Sequence, residues 1–224
     1  MQQFEVEIKS LLGGKENADA LIARMKEIDT ECVRHSSNSQ LNHYFTGGEL
    51  SALVQIMEGT LSGEGMEKLK DLTLRAKESS VRTRKKDEEV ILVVKASVGS
   101  DSSSNGVSRI EFEEKLPISL DELDAKVLSA GFSYQAKWSR DREEYTFKGI
   151  TVCLDHNAGY GYLAEFEKVV DEESAVDSAR KEVESIMNEL AVAELPQDRL
   201  ERMFAHYNQN WQEYYGTDKI FVIE

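Results

Sequence analysis

The strongest constraint on this chain is that charged residues recur on one side of its apolar strands. Phe4-Glu5-Val6-Glu7-Ile8-Lys9 near the N-terminus and Leu163-Ala164-Glu165-Phe166-Glu167-Lys168 far downstream both show it. Successive strand side chains point to opposite faces, so Glu5, Glu7 and Lys9 share one face while Phe4, Val6 and Ile8 share the other. A single strand of this kind turns its polar face to water and means little. Its repetition in strand after strand, with full charges of both signs, favours a closed barrel with a charged interior and an apolar exterior covered by helices. Such an interior needs a ligand of matching charge.

Hydrophobic periodicity and turn residues place the elements. Strands are expected at 4–9, 40–46, 80–86, 90–96, 107–115, 135–147, 150–155 and 162–170, about eight in all. A helix follows Gly13-Gly14, with Ala18, Leu21, Ile22, Met25 and Ile28 on one face. Residues 49–79 read as one or two helices interrupted by Ser62-Gly63-Glu64-Gly65, and 99–106 as a flexible loop. Ser119 caps a helix that ends at Gly131. Two helical stripes close the chain, Val176, Ala179, Val183, Ile186 and Leu190, then Leu200, Met203, Phe204, Tyr207, Trp211 and Tyr214. The expected class is α+β: an eight-stranded antiparallel β-barrel surrounded by helices, with C-terminal helices. It is read as a single domain over 1–224, with a barrel core over about 1–170 and a helical region over about 171–224.

Bulk composition narrows the partners. A net charge of −15 argues against binding nucleic acid through general electrostatics, and makes any concentrated basic cluster informative. Cys32 and Cys153 lie far apart without CxxC spacing, as expected of a reduced, cytoplasmic protein. No apolar run reaches membrane-spanning length, and no signal-peptide core precedes the first strand. No membrane partner is expected, and a homodimer is compatible with the sequence.

Alternation applied strand by strand collects the inward-facing charges. The basic ones are Lys9, Arg82, Arg84, Lys95, Arg109, Arg140 and Arg142; the acidic ones are Glu5, Glu7, Glu111, Glu113, Asp155, Glu165 and Glu167. Burying so many charges is costly unless they are paired, hydrated or liganded. Crowded carboxylates raise one another's pKa, and a divalent cation removes that conflict. Carboxylates are hard oxygen ligands suited to Mg²⁺ or Mn²⁺, and no His/Cys cluster points to zinc. Arginine forks fit phosphate oxygens two at a time. A metal-chelated polyphosphate satisfies both sets.

At these residues the chain resembles the CYTH superfamily, or triphosphate tunnel metalloenzymes, which includes class IV adenylyl cyclases, thiamine triphosphatases and inorganic triphosphatases. The Glu-x-Glu-x-Lys hallmark is matched by Glu5, Glu7 and Lys9. Arg-x-Arg followed by a Lys strand is matched by Arg82, Arg84 and Lys95, and Arg-x-Glu-x-Glu by Arg109, Glu111 and Glu113. Arg142-Glu143-Glu144-Tyr145 matches a later Arg-x-x-Tyr, and Asp155, Gly161, Glu165 and Glu167 match the closing pattern. The resemblance implies a tunnel holding a triphosphate. Glu5, Glu7, Glu165 and Glu167 would hold Mg²⁺ or Mn²⁺, with Asp155 and Glu113 contributing. Lys9, Arg82, Arg84, Lys95, Arg109, Arg140 and Arg142 would grip phosphates, and Glu5, Glu7 and Lys9 would carry catalysis. The implied reaction is triphosphate hydrolysis; the alternative is cyclic AMP formation from ATP. Two departures stand out. Arg140-x-Arg142 replaces the Lys-x-Arg of many members, and the long 49–79 segment is expected to roof one tunnel mouth.

Other residues have plainer readings. His35 is expected in a loop and His43 in a strand, while His156 is a weaker candidate for substrate contact. Cys153 faces inward by alternation but reads as a small filler. Trp211, Tyr214 and Tyr215 read as core between helix and barrel.

Overall fold

The computed structural model describes residues 4–97 and 109–223. The loop expected at 99–106 and the first residues of the strand expected at 107–115 lie outside the described residues, as do the side chains of Glu5, Arg109 and Glu111. The strands are β1 (Phe4–Gly13), β2 (Val33–Gly47), β3 (Glu78–Lys86), β4 (Glu89–Ser97), β5 (Arg109–Leu116), β6 (Phe132–Phe147), β7 (Ile150–Asn157) and β8 (Gly161–Val170). They form an eight-stranded antiparallel sheet in the order β1-β8-β7-β6-β2-β3-β4-β5. No ladder joins β5 to β1 among the described residues. The helices are α1 (Lys15–Ile28), α2 (Leu50–Ile56), α3 (Gly63–Arg75), α4 (Leu120–Ser129), α5 (Val176–Glu189) and α6 (Gln197–Tyr214). The chain groups into two compact units, Met1–Ser39 with Ser139–Glu224, and Gln40–Trp138.

In the first unit, α1 and α5 cover one sheet face. Leu21 and Met25 from α1, Val183, Ile186 and Met187 from α5, and Leu190 just after it pack with Ile8, Phe147, Val152 and Phe166. Each such side chain, fully buried, contributes about 1.5–3 kcal/mol. β2 begins earlier than its apolar alternation indicates. Val33-Arg34-His35-Ser36 carries no such alternation because this end is largely exposed. Side-chain bonds to β6 hold it instead: Arg34 Nη1 donates to Glu143 Oε1 at 2.6 Å, and Ser39 Oγ to Asp141 Oδ1 at 2.5 Å. His35, expected in a loop, therefore stands in a strand, with Nε2 2.5 Å from Thr146 Oγ1.

The C-terminal segments dock on the same unit. Met203 and Tyr207 of α6 are buried, and Tyr207 stacks with Tyr214 at 5.9 Å. The chain then returns to the β7–β8 turn, where Gly159 N donates to Lys219 O at 2.9 Å and Phe221 N to Gly159 O at 2.8 Å. Ahead of α6, Leu195 N donates to the Lys9 carbonyl at 2.7 Å. The β7–β8 turn also needs glycine at 161. Its φ is +71°, and a Cβ there would lie 2.5 Å from the Gly13 carbonyl oxygen.

In the second unit, α2, α3 and α4 pack on one face of β2–β5. Leu53, Met57, Leu69, Leu72, Leu123 and Val127 join Phe45, Val81, Val94 and Phe112 in one apolar cluster. The segment expected to roof a tunnel mouth thus lies on the face opposite Arg82 and Arg84, because the apolar stripes of α2 and α3 are buried against the sheet. Ser62-Gly63-Glu64-Gly65 is the start of α3: Ser62 Oγ accepts from Gly65 N at 2.9 Å. Ser119 and Glu122 form a capping box at the start of α4.

A buried polar cluster sits inside this apolar layer. Asp124 of α4 is buried, with Thr83 Oγ1 at 2.6 Å, Tyr134 Oη at 2.6 Å and His43 Nδ1 at 2.7 Å from its carboxylate. Burial alone would raise its pKa; the bonds from His43, Thr83 and Tyr134 outweigh it and hold the carboxyl below its ordinary value. Asp124→Ala strands these donors without their acceptor. It is expected to lower stability by about 3 kcal/mol, read as a shift in denaturation midpoint.

Candidate active site

Cross-strand register builds the charged face of the first unit row by row. Lys9 of β1 lies opposite Glu165 of β8, which lies opposite Cys153 of β7, and Cys153 lies opposite Glu144 of β6. A second row runs Glu7, Glu167, Thr151 and Thr146; a third runs Leu11, Leu163, Asp155 and Arg142. The alternate residues Ile8, Phe166, Val152 and Tyr145 belong to the helix-covered face. The pleat therefore separates the charges from the core, as the alternation rule requires.

Ion pairs lock this face together. Asp155 is 0% exposed and accepts from Arg142 Nε at 2.7 Å, Arg142 Nη2 at 2.7 Å and Arg140 Nη1 at 2.9 Å. Arg142 also donates to Glu165, whose other oxygen lies 3.0 Å from Lys9 Nζ. Lys9 pairs in addition with the more exposed Glu7. Burial alone would raise the Glu165 pKa, but Lys9, Arg142 and Arg140 outweigh it and hold the carboxyl at about 2. Burial would likewise disfavour the Arg142 charge, yet Asp155 and Glu165 push its pKa above the ordinary arginine value.

Cys153 belongs to the same face. It is buried, and its Sγ lies 3.9 Å from Glu167 Oε1. One donor atom each from Cys153, Glu165 and Glu167 fall within 4.8 Å of one another, the spacing of a group able to hold a metal ion. Two carboxylates fit a hard divalent cation, so the donors present accommodate one. Burial pushes the Cys153 thiol up to about 12 despite the nearby Arg142.

In the second unit, Arg82 and Arg84 of β3 share a face with Ile91, Val93 and Lys95 of β4 and with Glu113 of β5. Arg84 Nε donates to Asn42 Oδ1 at 2.9 Å, and Arg84 Nη1 to Glu113 Oε1 at 3.1 Å. The Arg82 guanidinium lies 4.3 Å over the Tyr44 ring, and its buried Nε has no hydrogen-bond partner among the described residues. Such an orphan donor is costly and suits an incoming anion.

Of the expected residues, the first unit thus brings together Glu7, Lys9, Arg140, Arg142, Asp155, Glu165 and Glu167, and the second Arg82, Arg84, Lys95 and Glu113. The backbones of Glu5, Arg109 and Glu111 hold the expected strand positions in β1 and β5. Both oxygens of Asp155, expected among the metal ligands, are engaged by arginine. His156 stands on the face opposite Asp155 and stacks on Tyr162 at 4.7 Å. Charge-based reading passed over Asn42 and Tyr44, which are neutral; alternation puts both on one face of β2, and the β2–β3 register sets them opposite Arg84 and Arg82.

Comparison with known proteins bears on the fold and the family. The CYTH domain family model matches residues 3–199. A candidate adenylate cyclase from Vibrio parahaemolyticus, 16% identical, superposes with a TM-score of 0.58 over 92% of this chain and 99% of its own. A Pyrococcus horikoshii protein, 21% identical, gives 0.59 over 91% of this chain and 99% of its own. Another from the same organism, 14% identical, gives 0.57 over 84% and 91%. These identities establish likeness of fold. No curated protein sequence matches the chain. No helix among the described residues is long and apolar enough to cross a membrane. Because the family match runs from the first strand into the last helix, the chain belongs to the CYTH domain family, whose members are metal-dependent enzymes acting on triphosphates.

Proposed function

We propose that this protein is a divalent-metal-dependent triphosphatase that hydrolyses inorganic triphosphate or a small organic triphosphate. The observation that carries this reading is the cross-bracing of Glu165, a buried carboxylate held by Lys9 and Arg142 on a face that also bears Glu7 and Glu167. Carboxylates for a cation and cations for an anion are interleaved there. With a metal–triphosphate complex bound, the carboxylates would serve the cation, and Lys9 and Arg142 would serve phosphate oxygens.

In this reading Glu5, Glu7, Glu165 and Glu167 would hold Mg²⁺ or Mn²⁺, while Asp155 stays with its arginines. When bound, the metal acts as a Lewis acid that neutralises charge on the phosphoryl oxygens. Lys9, Arg82, Arg84, Lys95, Arg109, Arg140 and Arg142 bind phosphate oxygens and stabilise the charge that develops on the transferring group. Asp155 keeps Arg140 and Arg142 aimed by holding both guanidinium groups. Glu7, the more exposed carboxylate, orients the attacking water, and Arg82 gives its spare Nε–H to a phosphate oxygen. The protein is proposed to act in the cytoplasm, without a nucleic-acid or membrane partner; a homodimer is compatible with this reading.

The test is direct. Purified protein with Mn²⁺ and tripolyphosphate is expected to release inorganic phosphate, and chelation with EDTA to stop it. With ATP the expected products are ADP and phosphate. Cyclic AMP and pyrophosphate as the main ATP products would overturn the triphosphatase reading in favour of a cyclase.

A further inference from the structure

We infer that Cys153 is a metal ligand in this chain, completing with Glu165 and Glu167 a mixed thiolate–carboxylate site that takes soft and borderline divalent cations such as Cd²⁺ and Zn²⁺. The inference rests on reading Glu165 and Glu167 as metal ligands and adds the thiol to them. A buried cysteine ordinarily packs as a small hydrophobe. Here its sequence neighbours Val152 and Leu154 enter the apolar cluster, while Cys153 points to the opposite, charged face. It lies directly across from Glu165, and its Sγ meets Glu167 Oε1 at 3.9 Å. The three donor atoms lie within 4.8 Å of one another. Zinc bonds of about 2.3 Å to sulfur and about 2.0–2.2 Å to oxygen need donors slightly closer than that, within reach of carboxylate rotation.

Binding a cation at sulfur breaks the S–H bond, forms a metal–sulfur bond and releases the proton to solvent. Thiolate selects soft metals, whereas the paired carboxylates alone suit Mg²⁺ and Mn²⁺. The same face should therefore bind Mn²⁺ through oxygen and Cd²⁺ through oxygen and sulfur. Its cation preference is set by a residue that reads, in sequence, as filler.

The test titrates the full chain, kept reduced, with Cd²⁺ and with Mn²⁺. It follows the ultraviolet sulfur-to-cadmium charge-transfer band together with calorimetric affinity. The wild type and Cys32→Ser should show the band; Cys153→Ser and Cys153→Ala, checked for native circular dichroism, should not. Loss of the thiol should weaken Cd²⁺ binding by roughly 10-fold or more while leaving Mn²⁺ binding nearly unchanged. Calorimetric Cd²⁺ binding to the wild type without the band would overturn the inference and leave the carboxylate site standing. A band that survives in Cys153→Ser would overturn it too, by placing the metal at Cys32. Failure of both cations to bind would sink the inference together with the reading beneath it. Because the band is read on the wild type and Cys32→Ser, misfolding of the Cys153 variants would not shield the inference.

Discussion

Replacing Arg142 with alanine will lower folding stability by about 3–5 kcal/mol and remove triphosphate turnover. Asp155 is wholly buried, and two of its three arginine bonds come from Arg142. Removing that guanidinium leaves a buried carboxylate still paired with Arg140 but stripped of its two-pronged partner. A buried charge that loses its partner costs far more than the intact pair contributes. Arg142→Lys sharpens the experiment. It keeps the positive charge but cannot present the two-pronged fork, so most of the loss should persist. Chemical denaturation with an unchanged slope reads stability, and phosphate release from tripolyphosphate reads function. A loss below about 1 kcal/mol would mean that Asp155 is solvated and that the fork is dispensable.

Glu165→Gln should separate the acid stability of the fold from its chemistry. The carboxyl sits at about 2 against an ordinary 4.5. A depressed folded-state pKa stabilises above the unfolded value, and that contribution is lost as pH falls. The stabilisation is therefore complete above pH 4.5 and disappears as pH drops to about 2. A shift of this size corresponds to something on the order of 3 kcal/mol. Melting profiles of the wild type should fall through that window, and those of Glu165→Gln should be flatter there. At neutral pH the variant should lose about 10²–10³-fold in turnover, because the amide neither attracts a cation nor aims Lys9 and Arg142. Parallel melting profiles with unchanged turnover would remove Glu165 from the centre of the site.

What could be read from the sequence follows from what is local. The pleat is deterministic, so alternation sorted Ile8 from Lys9, and Phe166 from Glu165, without knowledge of any partner strand. The Ser119 cap was legible for the same reason, since its bond to Glu122 N spans a single turn. Register is not local. That Asp155 meets Arg142, and Cys153 meets Glu165, depends on how the β6–β7 and β7–β8 hairpins align. The sequence thus placed these residues on a face without naming their partners. The start of β2 escaped notice because its polar residues are satisfied by distant side chains on β6. Asp124 escaped because a carboxylate inside an apolar stripe makes sense only once His43, Thr83 and Tyr134 are known to converge on it. The side of the sheet taken by α2 and α3 was likewise hidden, since an amphipathic stripe says that a face is buried but not against what.

The bond from Leu195 to the Lys9 carbonyl has a consequence for how this protein is kept from sticking to itself. Among the described residues β1 ends the strand order, and a terminal strand with open amides and carbonyls is a template for another chain. Leu195, between α5 and α6, occupies the Lys9 acceptor on that strand. A chain cut after α5 would keep its ionic cluster but free the Lys9 carbonyl on its outermost ribbon, and is expected to fail first by clumping rather than by losing its chemistry.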